Sequence, residues 1–270
     1  MTKQQYLILQ NRTPIFVNLL LLLVLENEIL GLNMKNVIVI GSSGAIGKAF
    51  IDSYMKDDDV ENIFSFSRTG LAVEDKKLHS FFIDIEDETS ICDAAENIDK
   101  SSIDEIIVAS GILHNKDFGP EKSIRDLNAD NFLKVIKVNT IGPTIVGKYF
   151  IPLLNKKEKS VLAFLSARVG SISDNKTGGW YAYRASKTAL NQIIKNFSIE
   201  LRRTNPNAII FGLQPGTVDS ELSEPFKRNV KEGNLFTPEY SVLQLKNIID
   251  TASPSDSGKL ISWDGEEIQP

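Results

Sequence analysis

Short apolar runs alternate with amphipathic segments along most of the chain. Seven of these runs predict strands, at residues 36–40, 62–66, 80–86, 103–111, 160–166, 208–213 and 258–263. Short, continuous apolar runs are typical of strands that are buried on both faces of a parallel sheet. The segments between them carry apolar residues at helical spacing. This alternation predicts an α/β fold with a doubly wound parallel sheet.

The helix predicted from about residue 128 to residue 154 contains two interruptions of its pattern. Pro143 lies inside it and predicts a kink, because proline lacks the backbone N–H that the helix needs. Asn139 is polar among apolar neighbours. Such an asparagine is usually exposed or bonded locally, and a functional role is the alternative.

Residues 1–33 differ in character from the rest of the chain. Their apolar run at 16–25 is shorter than the roughly 20 residues that a membrane-spanning helix needs. Lys3 and Arg12 precede the run as in a signal peptide, but no small-residue cleavage site follows it. We interpret this segment as an N-terminal extension outside the fold, with a weak membrane anchor as the alternative. Residues 34–270 are then expected to form a single domain, since no linker interrupts them.

Composition narrows the classes of function. The apolar fraction of 42% and the charged fraction of 24% are ordinary for a globular protein. A net charge of -5 without a cluster of Lys and Arg argues against a nucleic-acid partner. Cys92 is the only cysteine, so we expect neither an intrachain disulfide nor a metal site with thiolate ligands. A reducing, cytoplasmic location fits this composition, and no metal is predicted.

A glycine-rich turn follows the first predicted strand and precedes a predicted helix. Strand, turn and helix in this order form the context of a dinucleotide-binding site. The glycines permit a tight turn, and they let the backbone approach a pyrophosphate at the helix N-terminus. Such turns also occur without a ligand, but the flanking elements favour nucleotide binding. The predicted cofactor contacts in this segment are Gly41, Ser42, Ser43, Gly44, Ile46 and Gly47.

The end of the second predicted strand bears on the choice of cofactor. In this fold an acidic residue at that position binds the ribose 2′-hydroxyl of NAD, whereas an arginine accommodates the 2′-phosphate of NADP. Here the residues are Ser67 and Arg68, with no acid. The pattern indicates NADP, with NAD as the alternative.

Tyr183 precedes Lys187 by four residues at the start of a predicted helix. Positions i and i+4 lie on one face of a helix, so the phenol and the ammonium are expected to be neighbours. The positive charge would lower the pKa of the tyrosine and suit it to acid/base work. On its own, this spacing is more often found on a surface helix with a partly buried tyrosine.

Several motifs then occur in a recognisable order. The glycine-rich turn, Ser166 at the end of the fifth strand, the Tyr183–Lys187 pair, and Pro215 with Gly216 after the sixth strand are arranged as in one family. Residues 34–270 resemble the short-chain dehydrogenase/reductase family, and more narrowly its C-factor and sniffer-like carbonyl reductase subgroup. The resemblance implies a Rossmann fold, an NAD(P)-dependent oxidoreductase with a carbonyl or alcohol substrate, and a homo-oligomer.

The resemblance also implies roles for individual residues. Tyr183 would be the acid/base catalyst, and Lys187 would lower its pKa and bind the nicotinamide ribose. Asn139 would hold a water in a proton relay, and Asp84 and Ile85 would lie beside the adenine. Further cofactor contacts are implied at Ser110, Gly111, Pro215, Gly216 and Val218. Ser110 belongs to an Ala-Ser-Gly sequence that replaces the usual Asn-Ala-Gly of the family.

The sequence offers two candidates for the catalytic hydroxyl. Ser166 lies 17 residues before Tyr183, farther than is usual in the family, whereas Ser171 lies 12 residues before it. We favour Ser166, because the end of a strand points its side chain into the site. The expected substrate walls are Trp180, Tyr181, His114 and the neighbourhood of Phe226, with a loop role favoured over a wall role for His114. Residues 221–237 are a candidate lid. A nucleotide-binding signalling protein with little turnover is the alternative function.

Overall fold

The computed structural model describes residues 34–71, 73, 75–230 and 233–270. The proposed extension at residues 1–33 lies outside the described residues. Within the described part of the chain, no helix is both long and apolar enough to cross a membrane.

A sheet of eight strands forms the centre of the fold, in the order β10-β9-β6-β5-β4-β1-β2-β3. All neighbouring strands are parallel except β9 and β10. The predicted doubly wound sheet is therefore confirmed. The strands are β1 (Lys35–Ile40), β2 (Val60–Ser67), β3 (Leu78–Phe82), β4 (Glu105–Val108), β5 (Ser160–Leu165), β6 (Ala208–Gln214), β9 (Leu260–Ser262) and β10 (Glu267–Ile268), while β7 (Thr217–Val218) pairs separately with β8 (Leu235–Phe236).

Helices cover both faces of this sheet. They are α1 (Ala45–Met55), α2 (Glu88–Glu96), α3 (Ala129–Ile136), α4 (Gly142–Phe150), α5 (Tyr181–Thr204) and α6 (Pro238–Thr251). Alternate side chains of β1 enter different cores: Ile38 and Ile40 pack with residues of α2, α4 and α5, whereas Val37 and Val39 pack with residues of α1 and α6. A strand that is buried on both faces must be apolar at every position, which explains the continuous apolar runs of the sequence.

The helix predicted from residue 128 to residue 154 is divided into shorter pieces. A π-helical turn, Lys137–Ile141, separates α3 from α4, and Pro143 lies in the first turn of α4. The missing N–H of Pro143 is compatible with this break, because a first turn leaves its N–H groups unpaired in any case. The π turn contains Asn139, and such turns are frequent at functional sites.

The chain changes direction in the sheet between β1 and β4. From β1 it continues outward through β2 and β3, whereas from β4 it continues to the other side through β5 and β6. A crevice forms at the carboxyl ends of strands at such a switch point, and ligands of doubly wound folds bind there. The candidate lid contains a 3₁₀ helix, Glu221–Asn229, and the short strand β8.

Candidate active site

Two glycines shape the turn between β1 and α1. Gly41 has φ +85°, in the left-handed region that favours glycine, and a Cβ there would lie 2.9 Å from the Ser110 amide nitrogen. A Cβ at Gly47 would lie 2.2 Å from the Gly41 carbonyl oxygen, so glycine lets α1 pack directly on the turn. Gly44 precedes α1 and provides no side-chain cap. The first amide groups of α1 are therefore available to an anion, as a phosphate site requires.

A groove of about 450 Å³ extends from this turn along the carboxyl ends of β1, β2 and β4. Eight predicted cofactor residues line it: Gly41, Ser43, Gly44, Arg68, Asp84, Ile85, Ser110 and Gly111. Ser42 does not line this groove, and its contact with the cofactor stays a prediction. Its side chain is fully buried, and its hydroxyl donates to the Phe66 carbonyl oxygen over 3.2 Å. Gly47 packs against the Gly41 carbonyl group and does not line the groove.

The polar atoms of the groove suit a phosphorylated dinucleotide. Ser110 Oγ is buried and has no hydrogen-bond partner among the described residues, so a ligand atom would satisfy it. The Arg68 side chain is exposed at the groove, where a guanidinium matches a phosphate. Ser67, which occupies the position of the acid in NAD-specific proteins, donates its hydroxyl to the Thr69 carbonyl oxygen.

A cavity of about 650 Å³ lies at the carboxyl ends of β5 and β6. Six residues of the predicted site line it: Ile46, Ser166, Tyr183, Pro215, Gly216 and Val218. The walls include four aromatic side chains, Trp180, Phe226, Phe236 and Trp263. The ring centroids of Trp180 and Phe226 are 4.9 Å apart, so the 3₁₀ helix of the candidate lid contacts the start of α5.

Two predicted wall residues lie outside this cavity. Tyr181 is the first residue of α5 and its side chain is exposed. His114 Nε2 is 3.0 Å from the Glu221 carbonyl oxygen, where it joins the loop after β4 to the 3₁₀ helix. Neither side chain lines the cavity, so the expected wall position of Tyr181 is wrong, while His114 has the loop role that the sequence favoured.

Tyr183 and Lys187 lie on the buried face of α5, in its first two turns. Lys187 is 3% exposed, and its Nζ donates to the Leu165 carbonyl oxygen over 2.8 Å. The Nζ lies 5.9 Å from the centroid of the Tyr183 ring. The sequence spacing thus brings the phenol and the ammonium together beneath the cavity.

Burial determines the proton affinity of both groups. It raises the pKa of Tyr183 to about 12 and lowers the pKa of Lys187 to about 8. Desolvation of the phenol therefore outweighs the lowering that the Lys187 ammonium was expected to cause, and the pKa of Tyr183 lies above its ordinary value. At neutral pH Tyr183 is therefore a neutral phenol that holds its proton.

The two candidate serines have different surroundings. Ser166 directly follows β5, lines the cavity beside Tyr183, and donates its hydroxyl to Asn191 Oδ1 over 2.6 Å. Ser171 is buried against the C-terminal segment, where its hydroxyl donates to the Gln269 carbonyl oxygen. The geometry favours Ser166, as the position of the strand end suggested.

Asn139 connects two parts of the site through its side chain. Its Oδ1 accepts from the Ile112 amide over 2.7 Å, and its Nδ2 donates to the Ile112 carbonyl oxygen over 2.8 Å and to Ser186 Oγ over 3.0 Å. Ser186 Oγ in turn donates to the Tyr183 carbonyl oxygen over 2.7 Å. The side chain thus fixes the loop after β4 to the helix of Tyr183, while the water relay at Asn139 stays a prediction.

Glu121 secures the start of α5 and was not foreseen from the sequence. Trp180 precedes the helix with φ +51° and offers no side-chain cap. The Glu121 carbonyl oxygen accepts from the Trp180 amide over 2.5 Å, and its Oε2 accepts from the Ala182 amide over 3.3 Å. A carboxylate at the positive end of a helix is stabilising. No local pattern reveals this contact, since 61 positions separate Glu121 from Ala182.

The doubly wound sheet, with a groove at its switch point and an adjoining cavity, defines a Rossmann fold of the nucleotide-binding type. The chain belongs to the short chain dehydrogenase family, whose sequence profile matches residues 35–231. The resemblance that the motifs indicated is thereby confirmed.

Individual relatives agree with this assignment. The 1-hydroxy-2-glutathionyl-2-methyl-3-butene dehydrogenase of Rhodococcus sp. (strain AD45) is 28% identical over 240 residues, which cover 87% of this chain and 100% of the relative. The C-signal of Myxococcus xanthus is 28% identical over 174 residues, which cover 64% of this chain and 96% of the relative. The crystal structure of NADPH-bound carbonyl reductase from chicken fatty liver has a TM-score of 0.75 at 22% identity, covering 88% of this chain and 100% of that one. The last similarity confirms the fold.

Proposed function

We propose that the protein is an NADPH-dependent carbonyl reductase that acts as an alcohol dehydrogenase in the reverse direction. The proposal rests on the position and the pKa of the Tyr183 side chain. Its phenol lines the cavity beside Ser166, and burial raises its pKa to about 12, so it holds its proton at neutral pH. A phenol in this state can protonate a carbonyl oxygen as the oxygen gains negative charge.

The groove would bind the cofactor. Gly44 and the N-terminus of α1 would hold the pyrophosphate, and Arg68 would pair with the 2′-phosphate. The unpartnered hydroxyl of Ser110 would complete the contacts. When bound, the nicotinamide supplies the hydride. The chicken liver carbonyl reductase is named as NADPH-bound, which supports the choice of cofactor, and NAD is the alternative.

The protein itself would position the substrate and provide the proton. Ser166 would hydrogen-bond the carbonyl oxygen and hold it near the Tyr183 hydroxyl. Lys187 has a pKa of about 8, so its ammonium is mostly charged at neutral pH. That charge lies 5.9 Å from the Tyr183 ring centroid and would stabilise the phenolate that remains after proton transfer.

The walls of the cavity indicate the kind of carbonyl compound. Trp180, Phe226, Phe236 and Trp263 surround the space with aromatic surface. Such walls favour an apolar or aromatic substituent next to the carbonyl, because its burial removes apolar area from water. We therefore expect aryl ketones and aldehydes to be better substrates than small polar ones.

The decisive experiment compares Tyr183→Phe with Tyr181→Phe in carbonyl-dependent NADPH oxidation. Tyr181 is exposed on the same helix and does not line the cavity, so it is a matched control. We expect Tyr183→Phe to lose roughly 10²–10⁴-fold in kcat with NADPH binding retained, because it removes one acid catalyst. Unchanged turnover in Tyr183→Phe would refute the assignment.

Arg68→Gln tests the preference for NADPH. We expect its affinity for NADPH to fall about tenfold or more, with little change for NADH, since the side chain would contact only the 2′-phosphate. Titration of the protein with each nucleotide, followed by fluorescence, measures both affinities. An equal loss for both nucleotides would show that Arg68 serves the groove in another way.

A regulatory protein that binds a nucleotide without turnover is the second candidate. The relationship to the C-signal of Myxococcus xanthus favours it. The two candidates differ in one measurement, a panel of carbonyl compounds assayed with NADPH alongside a binding titration. Tight binding of NADPH with no turnover across aryl and alkyl carbonyls would support the regulatory candidate.

A further inference from the structure

Ser166 is not an isolated side chain in the cavity, because Asn191 holds its hydroxyl. Asn191 lies on α5, four residues after Lys187, and Ser166 directly follows β5. The Ser166 hydroxyl donates to Asn191 Oδ1 over 2.6 Å, and Ser166 is only 4% exposed. A short bond to a buried hydroxyl fixes the direction of its single proton.

This direction conflicts with the proposed role of Ser166. A substrate carbonyl oxygen offers only lone pairs, so it can bond to Ser166 only if the hydroxyl donates to it. While the proton points at Asn191, the cavity side of Ser166 Oγ also presents lone pairs. The described arrangement therefore holds the serine but does not let it bind the substrate oxygen.

The amide of Asn191 can resolve this conflict without moving the backbone. An amide carries an acceptor and a donor on one planar group, so a half-turn about its last bond exchanges Oδ1 and Nδ2. After the half-turn Nδ2 would donate to Ser166 Oγ, and the hydroxyl proton would be free to point into the cavity. In the described part of the chain Nδ2 makes no hydrogen bond of its own, so the turn breaks no other bond.

Gly170 has no Cβ, and this leaves space for the Nδ2 end of the Asn191 amide. A Cβ at position 170 would be 2.9 Å from Asn191 Nδ2, closer than carbon and nitrogen pack without a shift. Glycine therefore keeps this side of the amide open, and both orientations of the amide occupy the same volume.

We propose that Asn191 is a positioning residue that directs the Ser166 hydroxyl, holding it by N–H donation when substrate is bound and by its carbonyl oxygen when the cavity is empty. The inference rests on the proposed reductase function, with Ser166 as the group that bonds the substrate oxygen. Asn191 itself touches neither substrate nor cofactor in this scheme.

Asn191→Asp tests the proposal, because it keeps the shape of the side chain and replaces the donor with an oxygen. An ionised carboxylate can only accept, so it would hold the Ser166 proton permanently. We expect kcat to fall about 10²-fold at neutral pH, comparable to the loss of one oxyanion donor. The activity should recover as the pH is lowered and the carboxyl gains a proton that it can donate. Neither the wild type nor Asn191→Ala has a group at this position that would produce this acid-side recovery.

Asn196→Asp is the matched control, since it introduces the same charge at an exposed position of the same helix. It should keep the wild-type kcat and pH profile. In the double variant Ser166→Ala/Asn191→Asp, we expect no loss beyond that of Ser166→Ala, because residues that act as a unit are not additive.

Three results of the rate measurements would overturn the proposal while leaving the reductase function intact. They are a wild-type pH profile in Asn191→Asp, a loss of kcat that is the same at every pH, and additive losses in the double variant. The proposed function is judged separately, by wild-type turnover and by Tyr183→Phe. Binding of NADPH, measured by fluorescence, should be unchanged in every Asn191 variant, and its loss would show a merely structural role.

Discussion

Replacing Lys187 with methionine should stabilise the folded protein while it removes activity. The lysine is 3% exposed and has no acidic partner among the described residues within ion-pair distance. Among the same residues its ammonium makes one hydrogen bond, to the Leu165 carbonyl oxygen at 2.8 Å. Methionine has a similar length and no charge, so it fits the site without the cost of burying an ammonium.

The size of the effect follows from the pKa of the lysine. Burial lowers it from 10.5 to about 8, which at roughly 1.4 kcal/mol per pH unit corresponds to about 3 kcal/mol. The folded state binds this proton less tightly than the unfolded chain, so the cost is full below pH 8. It diminishes as the pH rises from about 8 to 10.5, because the folded lysine has already released its proton there. Loss of the bond to Leu165 costs about 1 kcal/mol, which leaves a net gain near 2 kcal/mol at pH 7.

Urea unfolding at two pH values measures this contribution. Between about pH 7 and pH 9.5 the unfolding free energy of the wild type should rise by roughly 2 kcal/mol more than that of Lys187→Met. All other titrating groups are common to both proteins and cancel in the comparison. Lys156→Met, which removes an exposed ammonium, is expected to follow the wild type. If Lys187→Met shows the same pH dependence as the wild type, the burial argument is refuted.

Three further predictions concern the pH dependence of kcat, the glycine-rich turn after β1, and the buried hydrogen bond of Tyr54. The kcat for carbonyl reduction should fall as the pH rises through about 8, where Lys187 loses its proton, and a flat steady-state profile across that range would contradict this. Gly47→Ala places a Cβ 2.2 Å from the Gly41 carbonyl oxygen, so we expect a loss of roughly 1–3 kcal/mol in urea unfolding and weaker NADPH binding; wild-type values would show that the turn can yield. Glu105→Leu leaves the buried Tyr54 hydroxyl without its 2.8 Å acceptor, and thermal unfolding should show a cost of about 1–3 kcal/mol with kcat unchanged.

The sequence predicts those parts of the fold that leave a pattern in consecutive residues of the chain. Each central strand is buried on both faces, so its apolar run is visible without knowledge of its neighbours. Strands of two residues, such as β7, β8 and β10, are too short to show a period. The π turn at Lys137–Ile141 keeps the apolar spacing of the helices around it, so nothing in that spacing distinguishes it from an α-helix.

The residues of the site also fall into two groups, those that local spacing predicts and those that only the tertiary structure identifies. The Tyr183–Lys187 pair is visible in the sequence because a helix brings positions i and i+4 together. The choice between Ser166 and Ser171 needs the tertiary structure, since it depends on Gln269, which lies 98 positions from Ser171. The pKa of Tyr183 also differs from expectation, because burial is a property of the folded chain and outweighs the nearby ammonium.

A chain of hydrogen bonds links the groove to the cavity. Gly111 lines the groove, and a Cβ there would lie 3.5 Å from Asn139 Oδ1 and 3.6 Å from Lys187 Nζ, so the floor of the groove lies close to both side chains. Through Ile112 and Ser186, Asn139 then links this floor to the backbone of Tyr183. Transfer between two bound molecules requires their reacting atoms to keep a fixed separation. A protein that only binds a nucleotide has no need of that link, which is why the geometry favours the reductase over the regulatory candidate.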